Sequence, residues 1–461
     1  MSLSSKQVVP EDGMIITEDV TLVPGVYVLR HGLTIAADGV TLDGAGAMLV
    51  GSQDWPVAIF MEGRRDVTIK NLSTVGFHHA VRLKNCRDVN IVGNRFRFSS
   101  ELDFYSHPLS VYAPLEQMHG AAIFLQDVQS TIISDNDMGH QQNGVLAYGC
   151  RGLIIERNQA PMCSGQGVYL YDSHECTIQD NLLDFCARIS HLPDGRKDIG
   201  AGAASVMLIS GSSKNLILRN FMRGSGDGVL ACGYPEAAKV AQCNDNIIEG
   251  NDASYCLNVS FEATFGRRNV FRENKANGSN YGFWLGYSCE TEVVDNEIIE
   301  NRIAGVAIEH GHGNSILGNI LKRNRSGILL WTDYYEQLVR VFPDCEASWD
   351  YTIARNVIEA NRDGIRSYTE QRVREPLCYN YRILDNTIRD NHTGIRLQRV
   401  RNCELQGNRL VNNHSSGVWL IKCSDISAVG NVFEANRVDV IGELTERVDD
   451  TSHLESRAEV E

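Results

Sequence analysis

The sequence has no basic excess. Among its 461 residues, 43 Lys and Arg face 58 Asp and Glu, and the formal net charge is −15. No basic tract offsets that balance, so no nucleic-acid partner is expected. No apolar run reaches the roughly 20 residues of a membrane-crossing helix, so no membrane partner is expected either. The opening residues, Met1 to Lys6, are too polar and too short for a secretory signal. The expected location is the cytoplasm, or a secreted or periplasmic one if a leader has been removed. No Cys-x-x-Cys pair occurs among the 13 Cys, which leaves a structural zinc without support. No three acidic residues share matching outward positions. The expectation is therefore no metal and no cofactor, with Asp333, Asp344, Glu346 and Asp350 in one loop as the nearest approach to a calcium set.

Against these absences stands a repeat. Its clearest unit reads Asn314-Ser-Ile-Leu-Gly-Asn319-Ile-Leu-Lys-Arg-Asn324-Arg-Ser-Gly327-Ile-Leu-Leu-Trp331. Equivalent Asn residues run from Asn94 to Asn431. Neighbours such as Asn251, Asn274, Asn296 and Asn319 stand 22 or 23 residues apart, and wider gaps mark coils with insertions. Each unit holds runs too short for helices, rich in Val, Ile and Leu at alternating positions, as half-buried strands require. A leucine-rich repeat would need a Leu-x-x-Leu-x-Leu frame, which is absent. A parallel β-helix explains the pattern: each coil stacks about 4.8 Å from the next, and none can bury its core alone.

A second polar column lies five residues after the first, at Asn301, Asn324, Asn361, Asn391, Asn413 and Asn436. A short amide at a repeated turn bonds free backbone groups and its own copy one coil away, so both columns are expected to be scaffold. Cys86, Cys150, Cys243, Cys378 and Cys423 each stand eight residues before a column Asn, which marks them as small buried turn residues. Their abundance fits a reducing compartment.

The Asn-x-x-x-x-Asn-x-x-Gly-Val/Ile phrase resembles the pectin-lyase-like superfamily of right-handed parallel β-helices. Its repeats are similar to those of periplasmic nitrous-oxide-reductase accessory proteins and of carbohydrate-binding or sugar-hydrolase proteins. The resemblance spans roughly Val40 to Val440. It implies an all-β, single-stranded right-handed solenoid with roughly 22-residue coils. It also implies a family of lyases, glycoside hydrolases, epimerases and binding proteins, without a complete catalytic motif of any one of them. The expected organisation is an N-terminal cap over 1–40, the β-helix over 41–441, and an acidic C-terminal tail over 442–461.

Insertions at 101–119 and 187–202 enter before a Gly-led strand, and those at 333–350 and 370–378 leave after it. All four flank one sheet, as the walls of a cleft would. Counting from each Gly, the fourth residues point outward: Tyr148, Tyr171, Gly286, Glu309, Trp331 and Tyr368. Glu262 joins them if Asn258 takes the Gly place. The second residues add Trp284, Arg366 and Arg396. Tyr148, Tyr171, Trp284 and Trp331 suit stacking on sugar rings, against the plainer alternative of aromatic rows that stabilise neighbouring strands.

Glu262 and Glu309 then lie two coils apart, about 9.6 Å between Cβ atoms, with Gly286 as an open floor between them. Inverting glycosidases hold their acid and base about 6.5–9.5 Å apart, so this spacing favours inversion. Glu309, near Trp284 and Trp331, is expected to be the acid and Glu262 the base, with Asp333 as the next partner for Glu309. His310 is a further substrate contact, although Gly311 and Gly313 beside it suit a structural turn equally. Arg366 and Arg396 would hold anionic substituents. The leading expectation is a glycoside hydrolase on an oligosaccharide or polysaccharide. A uronate lyase or C5 epimerase using Arg366, Arg396 and Tyr368, and a non-catalytic glycan-binding or structural protein, stay open. A long exposed flank leaves room for a homo-oligomer.

Overall fold

Strands of three to seven residues, broken at each turn by Asn or Gly, can satisfy their backbone only against copies of themselves one coil later. That is how the chain is built in the computed structural model, which describes residues 6–52, 56–102, 119–191, 194–200, 202–233, 241–333, 336–443, 445–449 and 454–456. The architecture is a parallel β-helix. It divides into two compact units, Met1–Leu230 and Ala231–Glu461.

In the second unit, strands Val259–Thr264, Tyr281–Trp284, Ala304–Glu309, Ser326–Thr332, Asp363–Thr369, Thr393–Gln398 and Ser416–Ile421 pair in parallel, each with the next. A second sheet stacks three-residue strands whose middle residues, among them Ile248, Phe271, Val293, Ile316, Ile353 and Ile383, are buried. A third runs from Glu297–Ile299 through Ile320–Lys322 to Val432–Glu434. The first unit repeats the scheme, with Val57–Glu62, His79–Lys84, Ala121–Gln126, Asn143–Tyr148, Val168–Tyr171 and Ala204–Ile209 in its longest-stranded sheet.

Both Asn columns are hydrogen-bond ladders. Asn319 Oδ1 accepts from the backbone N–H of Asn296 (2.9 Å) and from its Nδ2 (2.9 Å). Its own Nδ2 donates to Val293 O at 2.8 Å and to Asn356 Oδ1 at 3.1 Å. The second column repeats this from Asn301 to Asn436. At Asn319 these four bonds satisfy the whole side-chain amide. The turn cysteines are buried at 0–2% exposure.

Both ends contain paired strands. Within 1–40, Lys6–Val8 pairs with Val20–Leu22, which pairs with Thr41–Asp43. Within 442–461, Glu446–Asp449 pairs with Ser424–Ser427 and Leu454–Ser456 with Val440–Glu443. Short alternating runs such as Val20-Thr-Leu22 need only a paired neighbour to become strand, whatever the charge between them.

Candidate active site

Strand Ala304–Glu309 ends on Glu309. The chain then turns at once through His310 and Gly311, both left-handed at φ 59° and 88°. Glycine is required at the second position, because a Cβ there would lie 2.1 Å from Ser288 O. His310 pays roughly 1–2 kcal/mol for its backbone conformation and is held by several contacts. Its Nδ1 donates to Cys345 O (3.0 Å) and Glu346 O (3.1 Å), its ring stacks on Tyr287 at 4.7 Å, and its carbonyl accepts from the Tyr351 hydroxyl at 2.5 Å. The proton is thereby fixed on Nδ1, and Nε2 faces the Asp333 backbone N–H at 3.4 Å and Asp333 Oδ1 at 3.4 Å.

Trp331 lies directly opposite Glu309 on the neighbouring strand. Asp333, two residues further, therefore arrives beside it. The donor atoms of Glu309, His310 and Asp333 all lie within 4.8 Å of one another. Burial and the neighbouring Asp333 carboxylate push Glu309 up to about 7, against a smaller pull downward from His310. Two carboxyls this close cannot both ionise cheaply, which is how the Asp333 charge adds to burial in raising Glu309.

Aromatic rings surround the pair. Trp284 meets Trp331 at 5.5 Å, and Trp331 and Tyr368 stack at 6.5 Å and 13°. Trp284 reaches across because the residue opposite it, Ala307, is small. Tyr281 meets Trp284 edge-on at 4.8 Å, and burial and the Glu309 charge both raise its pKa. Tyr281 escaped the sequence reading because it precedes its Gly, and only residues after each Gly were counted as outward. Gly286 does leave a floor: a Cβ there would meet nothing closer than Trp284 Nε1 at 3.6 Å.

Arg366 and Arg396 are neighbours in register. Each guanidinium covers a ring, Tyr368 at 5.0 Å and Trp419 at 4.6 Å. Neither makes an ion pair within 4.0 Å among the described residues, and Arg396 Nε is buried without a hydrogen-bond partner. Burial lowers the pKa of Arg396.

Three expectations need correction. Glu262 is in register with Trp284 and Ala307, not with Gly286 and Glu309. Ser260, not Asn258, takes the Gly place: it is buried and small, and its hydroxyl pairs with that of Ser279 at 2.9 Å. Glu262 still faces outward on the same sheet. It now stands two strands across and two residues along from Glu309, about 12 Å between backbones, and the spacing argument for inversion falls with the register. His310 is fully buried beneath the carboxyls and cannot touch a substrate; it positions Asp333 instead. Tyr148, in the first unit, is only 6% exposed, packed among Phe124, Tyr169 and Tyr171. Tyr171 is partly exposed beside it, in the same unit. There the insertions meet, Arg188 reaching Glu101 at 3.9 Å and donating to Leu102 O at 3.3 Å.

A groove of about 1,020 Å³ lies on a different sheet of the second unit, lined by Asp350, Arg382, Glu404 and Asp425 among others. It contains neither Glu309 nor Asp333. Asp350 and Asp425 in its lining also sit at left-handed positions, at φ 56° and 57°.

Comparison with known proteins agrees with this architecture. Residues 51–222 match the family model described as right handed beta helix region, which supplies the handedness. Residues 196–341 and 345–445, more than half of the chain, match the one described as periplasmic copper-binding protein (NosD). A point mutant of the periplasmic alginate epimerase AlgG has a similar fold, with 13% identity, 78% of each chain covered and a TM-score of 0.51. The A-module of the Azotobacter vinelandii mannuronan C-5 epimerase AlgE6 shows 12% identity over 94% of this chain and 91% of its own, at TM-score 0.39. DFA-IIIase from Arthrobacter chlorophenolicus A6 shows 13% over 73% and 71%, at 0.34. No curated protein matches.

The NosD description raises copper. Copper sites favour clustered imidazole and sulfur donors. Among the described residues, the group of three His, Cys, Asp or Glu donors within 4.8 Å holds one imidazole and no sulfur. Its imidazole Nε2 already faces the Asp333 N–H. The set does not fit copper, and its two carboxylates match a hard divalent cation more closely.

Proposed function

The chain belongs to the NosD family, and from that premise we propose that it is a carbohydrate-active enzyme that cleaves a glycosidic bond at Glu309 and Asp333. The observation that carries this reading is the close pair of Glu309 and Asp333 carboxyls beside an aromatic wall, with Glu309 raised to about 7. A carboxylic acid that keeps its proton near neutral pH can donate it to a leaving glycosidic oxygen. Asp333 supplies the carboxylate, oriented by His310. Carboxyl atoms within 4.8 Å leave no room for the water of an inverting pair and approach the roughly 5–5.5 Å of retaining enzymes. In that mechanism Asp333 attacks the anomeric carbon while Glu309 protonates the leaving oxygen. Glu309, now ionised, then takes a proton from the water that releases the sugar. Trp331, Trp284 and Tyr368 offer faces for the sugar ring. Arg366 and Arg396 receive an acidic substituent. The family description supports a periplasmic location over the cytoplasmic one.

A second reading, proton abstraction from a uronate by a lyase or C5 epimerase, draws on the two arginines beside Tyr368, which make no ion pair among the described residues. One assay separates the readings. Neutral and uronate-containing oligosaccharides are offered to the protein, and new reducing ends, ultraviolet absorbance of unsaturated uronates and the first-formed anomer are followed. Hydrolysis with retention is expected, with Glu309→Gln and Asp333→Asn each lowering turnover about 100–10,000-fold while binding persists. Unsaturated products would establish the lyase, and binding without turnover would establish a glycan-binding protein.

A further inference from the structure

Behind the turn that holds His310, two cysteines meet. Cys289 stands at a bridge position between Arg267 and His312, and Cys345 ends the short helical turn Pro343–Cys345 of the insertion. They are separated by 56 residues in sequence, yet their Sγ atoms lie 3.2 Å apart, both thiols 1% exposed. Phe265, Tyr287 and Phe342 pack around them. On the solvent side stand His312, 14% exposed, and Arg267, 23% exposed. Both approach Asp344, and His312 lies 3.9 Å from it. Most other cysteines of this chain sit singly at coil turns and bond to backbone carbonyls, as Cys150 does to Tyr148 O and Cys423 to Leu397 O.

We propose that Cys289 and Cys345 form a peroxide-responsive dithiol whose disulfide staples the 333–350 insertion to the β-helix. The inference is independent of the sugar chemistry above. Cys289 is the attacking sulfur. The hydrogen bond from Cys345 lowers its pKa to about 5, and the His312 and Arg267 cations add to the effect. Cys345 is shifted upward by the same bond and stays protonated. Burial alone pushes thiols the other way, as at Cys150 and Cys403.

The chemistry balances with hydrogen peroxide, an oxidant small enough for a nearly closed site. The Cys289 thiolate attacks one peroxide oxygen and the O–O bond breaks. Cys289 becomes a sulfenic acid, and the departing hydroxide takes a proton from His312 and leaves as water. Cys345 sulfur then attacks Cys289 sulfur, the S–O bond breaks, and hydroxide departs with the Cys345 proton as a second water. Two thiols and one peroxide yield one disulfide and two waters. The structural consequence is direct. Cys345 O accepts from His310 Nδ1, so the staple fixes the segment that holds His310 in its left-handed turn.

The test uses the full chain. It is treated with one equivalent of hydrogen peroxide, denatured, alkylated and mapped by mass spectrometry, and its melting temperature is read before and after. Free thiols are expected to fall from thirteen to eleven, with a Cys289–Cys345 cross-linked peptide and a higher melting temperature that dithiothreitol reverses. Cys345→Ser should instead leave a sulfenic acid on Cys289 that dimedone traps. Alkylated Cys289 and Cys345 in peroxide-treated wild-type protein would overturn the proposal, as would oxidation confined to other cysteines. The wild-type map decides the matter even if a variant fails to fold.

Discussion

Glu309 keeps its proton to about pH 7 because it is sunk beside Asp333 at the end of a strand, with aromatic rings excluding water. In the unfolded chain the same carboxyl would ionise near its usual 4.5. Between those values the unfolded state has released a proton that the folded state retains, so stability falls as pH rises from 4.5 to about 7 and is level above it. Glu309→Gln removes the titration. The variant is expected to gain stability relative to wild type across that window, with a constant difference at higher pH, in melting curves at matched ionic strength. A difference that does not vary with pH would mean that Glu309 is not shifted. The same protonation gives hydrolysis a basic limb: turnover should decline as pH rises through about 7. His310 adds nothing to binding at this scale. Its contacts are with Asp333, and in the sequence it stands out only as a His between a strand end and a Gly.

Strands are held at fixed spacing by glycines that the next coil presses against. A Cβ on Gly327 would lie 2.5 Å from Gly364 O, and the same contact recurs at Gly305 and Gly364. Gly286 has no such neighbour, its nearest atom being 3.6 Å away. Gly327→Ala is expected to destabilise by about 1–3 kcal/mol, since the obstacle is backbone and cannot swing aside. Gly286→Ala should change stability by less than about 0.5 kcal/mol. Denaturant melts of the two variants check this contrast. Equal effects would show that the column is not a packing contact. Ser260 fits the same logic, a small residue where glycine is usual, and for that reason the coil holding Glu262 lacks the mark that sets its register.

Along the second unit, coils without insertions are nearly interchangeable layers. Arg409–Val411 pairs with Thr387–Arg389 on one side and Val432–Glu434 on the other, and Asn408 bonds Asn431 as Asn386 bonds Asn408. Excising residues 409–431, one full coil, places Val432 where Arg409 stood and keeps both ladders in step. The shortened protein is expected to give an unchanged β-type circular dichroism spectrum and a single cooperative melt within several degrees of wild type, as nearest-neighbour stacking predicts. Loss of cooperative melting would show that stability does not propagate coil by coil.

The solenoid was legible in the sequence because its causes are local and repeated: Asn at 22 or 23 residues, alternation within short runs, small residues at turns. The outward placement of Glu309, Trp331, Tyr368, Arg366 and Arg396 followed from the same alternation. What alternation cannot reveal is a slip of two residues, which leaves every side chain on its own face and changes only its neighbours. Glu262 moved away from Glu309 by such a slip, and only strand pairing could decide it. Asp333 as a neighbour of Glu309 was legible too, because it lies one coil along the same sheet. The burial of His310 and the contact of Cys289 with Cys345 depend on where the insertion after Asp333 folds back. Those contacts join residues distant in sequence through packing that no repeat encodes, so tertiary structure alone decided them.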